Sequence, residues 1–266
     1  MEEQKLIRWD NEETRQLVHT MFGHKQLALL QPAQRAVSYR LAHAEYHYLE
    51  YRRIADSFID SRLKAGTEIW RFIAPVTDDE ADGSARFYVE CEAHLYAFVQ
   101  AVHATADNLA HVVYYGLGLN LTDDFKGRVS FEALESHVKA KARTESGLYT
   151  VANLLTSLKE SSTLLNLADL ANQLKHNGGP NVSISLPSAL GQSHEIQFSS
   201  FVRNGKHHSA IGAEKFLKDS HGVVNKAMVE TGIALNHWLK VSCFQKAKSP
   251  DEPTEAVTPT RNPQST

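Results

Sequence analysis

The sequence predicts a predominantly all-α protein: an antiparallel helical bundle with a small β-hairpin inserted before its last helix. Three observations carry this. Two segments of about 35–40 residues carry an apolar stripe at steps of four and three, the signature of long amphipathic helices. Modest loops join them, which favours antiparallel neighbours. Residues 181–212 alone change to an alternating, extended pattern around Asn204-Gly205, a strong hairpin signal.

The first long helix is expected over about residues 32–70. It opens at Pro32, which suits a first helical turn. Val37, Leu41, Ala44, Tyr48, Tyr51, Ala55 and Phe58 form its stripe. The polar segment before it carries no expected helix. "APVTDDEADGS" reads as a turn-rich break. The second long helix runs through "ARFYVECEAHLYAFVQAVHATADNLAHVVYYGLGL", with Phe87, Cys91, Leu95, Phe98, Val102, Ala106, Leu109 and Val113 on one face. Gly116 and Gly118 end it. A short helix is expected at 130–142. "GLYTVANLLTSLKE" and "STLLNLADLANQLKH" read as one broken helix or two joined ones, with Leu164, Leu167, Ala171 and Leu174 inward. A β element of two or three strands follows at about 181–212. The closing helix carries Leu217, Ser220, Val224, Ala227, Thr231, Ala234 and Trp238 on one face. Residues 1–245 are thus expected to form one helical domain. Residues 246–266, with four prolines and no aromatics, read as a disordered tail.

Composition narrows the function. With 266 residues, 42% hydrophobic and 22% charged, the chain is an ordinary globular sequence. A net charge of −3 gives no global basic footprint for nucleic acid, though a local basic cleft is compatible with it. The N-terminus lacks a signal-peptide core, and no apolar run reaches the ~20 residues a membrane span needs. A cytoplasmic protein with no membrane partner is expected. Cys91 and Cys243 sit in apolar helical patterns and read as buried free thiols. No phosphate loop, zinc-type cysteine spacing or nucleophile elbow is present.

Histidine is the unusual residue, 14 in 266. His103, Asp107 and His111 are spaced four apart on the second long helix, flanking its core stripe. His43 and His47 repeat that spacing on the first. If the two rows met, four imidazoles and a carboxylate would come together, a donor set that suits zinc or iron. A metal-dependent enzyme built on His103, Asp107 and His111 is one reading. The other is a polar seam in which Asp107 bonds imidazoles or a helix end. A di-iron Glu-x-x-His signature is absent.

Two short stretches bear on RNA chemistry. "LADLANQLKHNGGPNV", residues 167–182, brings Asn172, Lys175 and His176 to the end of a late helix. Gly178, Gly179 and Pro180 are the residues that stop a helix, and Lys175 and His176 suit its negative end. "RNGKHH", residues 203–208, has an arginine and a histidine with four residues between them, Arg203 and His208, but on a predicted hairpin turn.

The first of these stretches resembles the motif of HEPN proteins, Arg-Asn-x-x-x-His on a late helix of an all-α bundle. Asn172 and His176 match the asparagine and histidine; Ala171 stands where the arginine belongs. It is also similar to bacterial HEPN-like proteins with an N-x-x-K-H-R motif, whose final arginine is Asn177 here. Those proteins have an earlier helix resembling "FVQAVHATADNLAHVV", with an aspartate at Asp107. The resemblance spans approximately residues 30–240 in layout. It implies a HEPN-like antiparallel bundle and an RNA-related role in a defence or toxin–antitoxin setting, with no cofactor. It further implies a homodimer with a cleft between protomers. On that reading the site residues are His176, Asn172 and Lys175, acting as a metal-independent endoribonuclease or an RNA binder. His176 would be the base. The cation that stabilises the phosphorane-like transition state would have to come from a partner subunit or a neighbouring helix, for instance Arg143, since lysine is no substitute for an arginine fork. The alternative is a non-catalytic dimeric scaffold or sensor subunit with a protein partner.

Overall fold

A computed structural model describes residues 8–64, 77–176, 178–185 and 195–248. The protein is predominantly all-α, with a small β region before the last helix. The described helices are α1 (Asn11–Phe22), α2 (His24–Lys64), α3 (Asp78–Gly116), α4 (Phe131–Lys141), α5 (Tyr149–Glu160), α6 (Ser162–His176) and α7 (Ala213–Lys248).

The N-terminal helix α1 is not foreseen by its polar sequence. Its cause is local. Asp10 caps it by accepting from Glu13 N at 2.9 Å, Glu12 and Glu13 favour the positive end, and Gly23 ends it at φ 86°. The helix α2 then begins at His24, so Pro32 lies inside it rather than at its start. Proline there removes the bond to the Ala28 carbonyl. Ala28 is exposed, so water can serve that carbonyl instead. The C-terminal end of the expected first helix, beyond residue 64, lies outside the described residues.

The second long helix α3 starts seven residues before the expected Ala85. Thr77 accepts from Glu80 N, and Asp78, Asp79 and Glu80 fill the first turn. The acidic run that reads as a turn is a helix N-terminus. All eight expected stripe residues of α3 are buried. α2 and α3 form an antiparallel pair: Phe58 stacks on Phe87 at 3.9 Å near one end, and Gln26 donates to the Tyr115 carbonyl at 2.6 Å near the other.

α4 and α5 are pinned by Glu135, whose side chain is 2% exposed. Burial alone would raise its pKa. Hydrogen bonds from Lys159 and Thr156, both 2.7 Å, and the charges of Lys159 and Lys139 outweigh burial and hold it below the usual carboxylate range. α5 and α6 are two helices, separated by Ser161 in extended conformation. Cys91 is a buried free thiol, whereas Cys243 is only half-buried.

The β region holds more than the expected two or three strands. β1 (Val182–Ser185), β2 (Glu195–Phe198) and β5 (Ile211–Gly212) make one antiparallel sheet, in the order β1-β2-β5. β3 (Phe201–Arg203) and β4 (Lys206–His208) make a separate hairpin. Asn204 and Gly205 turn that hairpin with φ of 49° and 76°, the positive pair a tight two-residue turn needs. Val182, Ile184, Ile196 and Phe198 face the helices, and Phe198 meets Phe216 of α7 edge-on. α7 continues to Lys248, three residues past the expected domain end. The remainder of the expected tail lies outside the described residues.

α1 is held to α7 by one buried polar knot. Trp9 Nε1 donates to Thr14 Oγ1 at 2.8 Å, and Thr14 Oγ1 donates to Asn236 Oδ1 at 2.6 Å. The indole lies against Gly232 so closely that a Cβ there would overlap Trp9 Cδ2. Gly232→Ala is therefore expected to dislodge Trp9 and cost about 1–3 kcal/mol, read as a lower denaturation midpoint with an unchanged far-UV spectrum. A midpoint equal to wild type would disprove this packing.

Candidate functional site

The site is built where the end of α6 lies against α3. α6 turns Leu164, Leu167, Leu170 and Ala171 into the core. Ala171 is 0% exposed, and its carbonyl accepts from Gln100 Nε2 at 2.8 Å. Asn172 is half-buried, and Lys175 and His176 are exposed. Just beyond, Gly178 has a φ of 73°, as a helix-ending glycine should. A Cβ on Gly179 would lie 2.5 Å from the Tyr96 hydroxyl, so only glycine lets the chain pass so close. Tyr96 in turn donates to the Pro180 carbonyl at 2.8 Å, and Glu92 Oε1 accepts from Val182 N at 3.2 Å. Burial, with Glu92 nearby, pushes the Tyr96 hydroxyl up to about 12, so it stays a donor. α3 thus grips the chain as it leaves α6.

His103 and Asp107 lie further along the same flank of α3. They line a cleft of about 380 Å³ with Ser130, Glu132, Lys159 and Ala168, bounded by α3, α4, α5 and α6. Burial pushes the His103 imidazole below its ordinary range. The Lys175 ammonium adds to this, and Asp107 opposes it. Lys175 is therefore electrically coupled to His103. Asp107 Oδ1 accepts from Phe131 N at 3.2 Å, while Ser130 Oγ accepts from Ala133 N at 3.2 Å. Asp107 is a helix-end partner for α4, the polar-seam role rather than a free ligand. His111 Nδ1 lies 2.9 Å from the Asp107 carbonyl, so that ring is tied to its own helix.

The two histidine rows do not meet. His47 instead faces His94, Nδ1 to Nδ1 at 3.0 Å, and exposed His43 stacks on Tyr39 with ring centroids 6.5 Å apart. The reason is helical phase. His94 and His103 are nine residues apart, about two and a half turns, so they leave α3 on opposite sides. α2 covers the His94 side; α4 and α6 cover the His103 side. Among the described residues, no group of three or more His, Cys, Asp or Glu is placed to hold a metal ion. The three-residue metal site on His103, Asp107 and His111 is not assembled.

"RNGKHH" is the β3–β4 hairpin. His208 stacks on Phe201 at 4.4 Å with nearly parallel rings, and its Nε2 lies 3.2 Å from Asp169 Oδ2 without hydrogen-bond alignment. Lys206 Nζ reaches the same carboxylate at 3.4 Å. These contacts dock the hairpin on α6. Arg143 sits in the turn after α4, whereas α6 ends beside the middle of α3, at Tyr96 to His103. α4 starts at Asp107 and runs toward Tyr114, which meets His137 through Phe125. Tyr96 and Tyr114 are 18 residues apart along α3, about 27 Å.

Sequence reasoning missed His94, Gln100, Tyr96 and Lys159. Gln100 lies four residues from Tyr96 and three from His103, a polar row beside an apolar stripe that was there to be read. No family model and no curated protein matches this chain, and no solved structure matches its fold.

The coupling at His103 is measurable. Lys175→Ala is expected to raise the His103 titration midpoint, followed by imidazole proton resonances, while burial keeps it below the ordinary histidine range. A histidine held neutral in the folded state binds fewer protons there than when unfolded. Its stabilisation is complete above about pH 6.5 and declines as pH falls toward the folded-state value. His47, His137 and His221 are lowered too, each first by burial. Stability should therefore fall below about pH 6.5, less steeply in His103→Gln. An unchanged pH slope in that variant would contradict the placement of His103.

Proposed function

We propose that this chain is a HEPN-like RNA-binding protein that does not cleave RNA. The carrying observation is Ala171: the position of the motif's arginine points into the core, 0% exposed, while its neighbours Asn172, Lys175 and His176 lie at or near the surface. A longer cationic side chain at 171 would be buried among leucines rather than offered to a phosphate. Metal-free cleavage needs both a base and a cation at the scissile phosphate. His176 can supply the first. For the second, Arg143 lies in the turn beyond α4, with no contact to the α6 end among the described hydrogen bonds and ion pairs, and Lys175 leaves the helix about 100° from His176. What remains suits binding: an exposed lysine and histidine at a helix end, with Asn172 beside them. Exposed lysine contributes sequence-independent phosphate affinity that falls with salt.

The test is binding of a labelled single-stranded RNA at about 50 and 200 mM salt, in EDTA, with product analysis. Binding should weaken with salt and drop several-fold in Lys175→Glu, with the RNA intact throughout. Undetectable binding by the wild type sinks the proposal. Cleavage that is lost in His176→Ala would replace it with a nuclease.

A second reading rests on a different surface. Tyr39, Tyr46 and Leu49 stand on one side of α2 and are 60%, 56% and 57% exposed. An exposed apolar ridge of this kind favours association, as a scaffold subunit would need. If the chain dimerises through it, sedimentation should show a dimer that Tyr39→Ser with Tyr46→Ser converts to monomer. A wild-type monomer at tens of micromolar, or a dimer indifferent to both changes, excludes it.

A further inference from the structure

We propose that His47 and His94 form a two-imidazole chelate for a divalent transition-metal ion of the copper or nickel class, with water completing its coordination. The pair bridges α2 and α3, the two longest helices, so its spacing is set by the bundle rather than by a loop. The Nδ1 atoms are 3.0 Å apart in a hydrogen-bond contact, so the two rings turn by roughly 40° for their lone pairs to converge on one ion. With metal–imidazole bonds of about 2.0–2.1 Å, that separation gives a nitrogen–metal–nitrogen angle of roughly 95°. This is the cis angle of a square-planar or octahedral ion, not the wider angle of tetrahedral zinc; among ions that imidazole suits, copper(II) and nickel(II) are the square-planar ones.

Without metal, one Nδ1 must carry a proton and the other a lone pair. Binding requires both lone pairs, so the shared proton moves through solvent to Nε2 of its own ring. No net charge is lost from the rings, and no oxidant or reductant is needed. Burial, with His94 and His43 nearby, already keeps His47 below the ordinary histidine range, which favours the neutral ligand form. Both rings are half-exposed, so an ion can enter. Tyr46 lies 5.2 Å from His47 and 6.2 Å from His94, edge-on to both, and screens one side. The neighbouring carboxylates are occupied: Glu50 is 2.8 Å from Arg53, and Glu90 is 2.7 Å from Arg86. His43, one turn before His47, is stacked on Tyr39. The two imidazoles are thus the protein's whole contribution, and the ion's remaining positions stay open to solvent.

This site stands apart from the α6 terminus and does not rest on the RNA reading. The test is titration of copper(II) into the full chain, followed by calorimetry and electron paramagnetic resonance. One equivalent should bind with hyperfine structure from two imidazole nitrogens. His94→Gln should weaken that equivalent by at least about ten-fold, the lower end of what even an outer partner's loss costs a metal site. His43→Gln and His207→Gln should leave it in place. The proposal is overturned if His94→Gln binds as wild type does, or if His43→Gln abolishes the site. Should His94→Gln lose its helical spectrum, the wild-type resonance decides alone: fewer than two coupled nitrogens at one equivalent refutes the chelate.

Discussion

α3 is fully buried over about half of its circumference, and the other helices are arranged by that requirement. Phe98 with Val99, Ala101 with Val102, Thr105 with Ala106, Leu109 with Ala110 and Val112 with Val113 are all enclosed. Adjacent residues point about 100° apart, so no single partner helix can cover such a surface. α2 takes one flank, α4 and α6 the other, and α7 lies across. Each covering helix needs only one apolar stripe and keeps a wet side. At the usual value of about 25 cal/mol per Å² of apolar area, enclosing this one helix is a dominant favourable contribution to folding.

The same requirement distributes the chemistry. Several of the longer polar side chains of α3 lie in the seams between covering helices, and there each meets whichever neighbour borders that seam. His94 falls in the seam with α2 and meets His47. Gln100, His103 and Asp107 fall in the seams with α6 and α4, where they serve a carbonyl, line a cleft and hold a helix start. The histidines therefore make two separate sites on opposite flanks, and the phase of one helix decides it.

Much of the helical layout was legible. Long stripes such as Phe87 to Val113 report burial directly, because packing enforces the period. The Asn204-Gly205 turn was legible because few residues accept positive φ in sequence. α1 and the first turn of α3 were harder, since both are written in capping residues and acidic side chains rather than in apolar spacing. Asp10 before Glu13, and Thr77 before Glu80, carry the signal. The placement of Asn172, Lys175 and His176 at a helix end was also readable, from the glycines that follow. The partners of His47 and His103 were not. They depend on which side of α3 each covering helix takes, and a stripe on one helix does not say which neighbour it meets. The status of Ala171 lay between. Its place on the inward stripe with Leu167 and Leu174 is in the sequence, and it already implies that an arginine would not fit there.

The knot between α1 and α7 has a bearing on how the chain is made. Thr14 and Asn236 are separated by 222 residues. At a ribosomal rate of about 5–20 residues per second, the first waits some tens of seconds for the second to emerge. Through that time Trp9 has no Gly232 to lie on, and α1, a short and polar helix, has little reason to persist alone. The nascent chain can assemble α2 with α3 early, because that hairpin is local. Trp9 and α1 can settle only once α7 has followed them, although they are made well before it. A chaperone acting on this protein during translation would find the indole of Trp9 exposed until α7 leaves the tunnel.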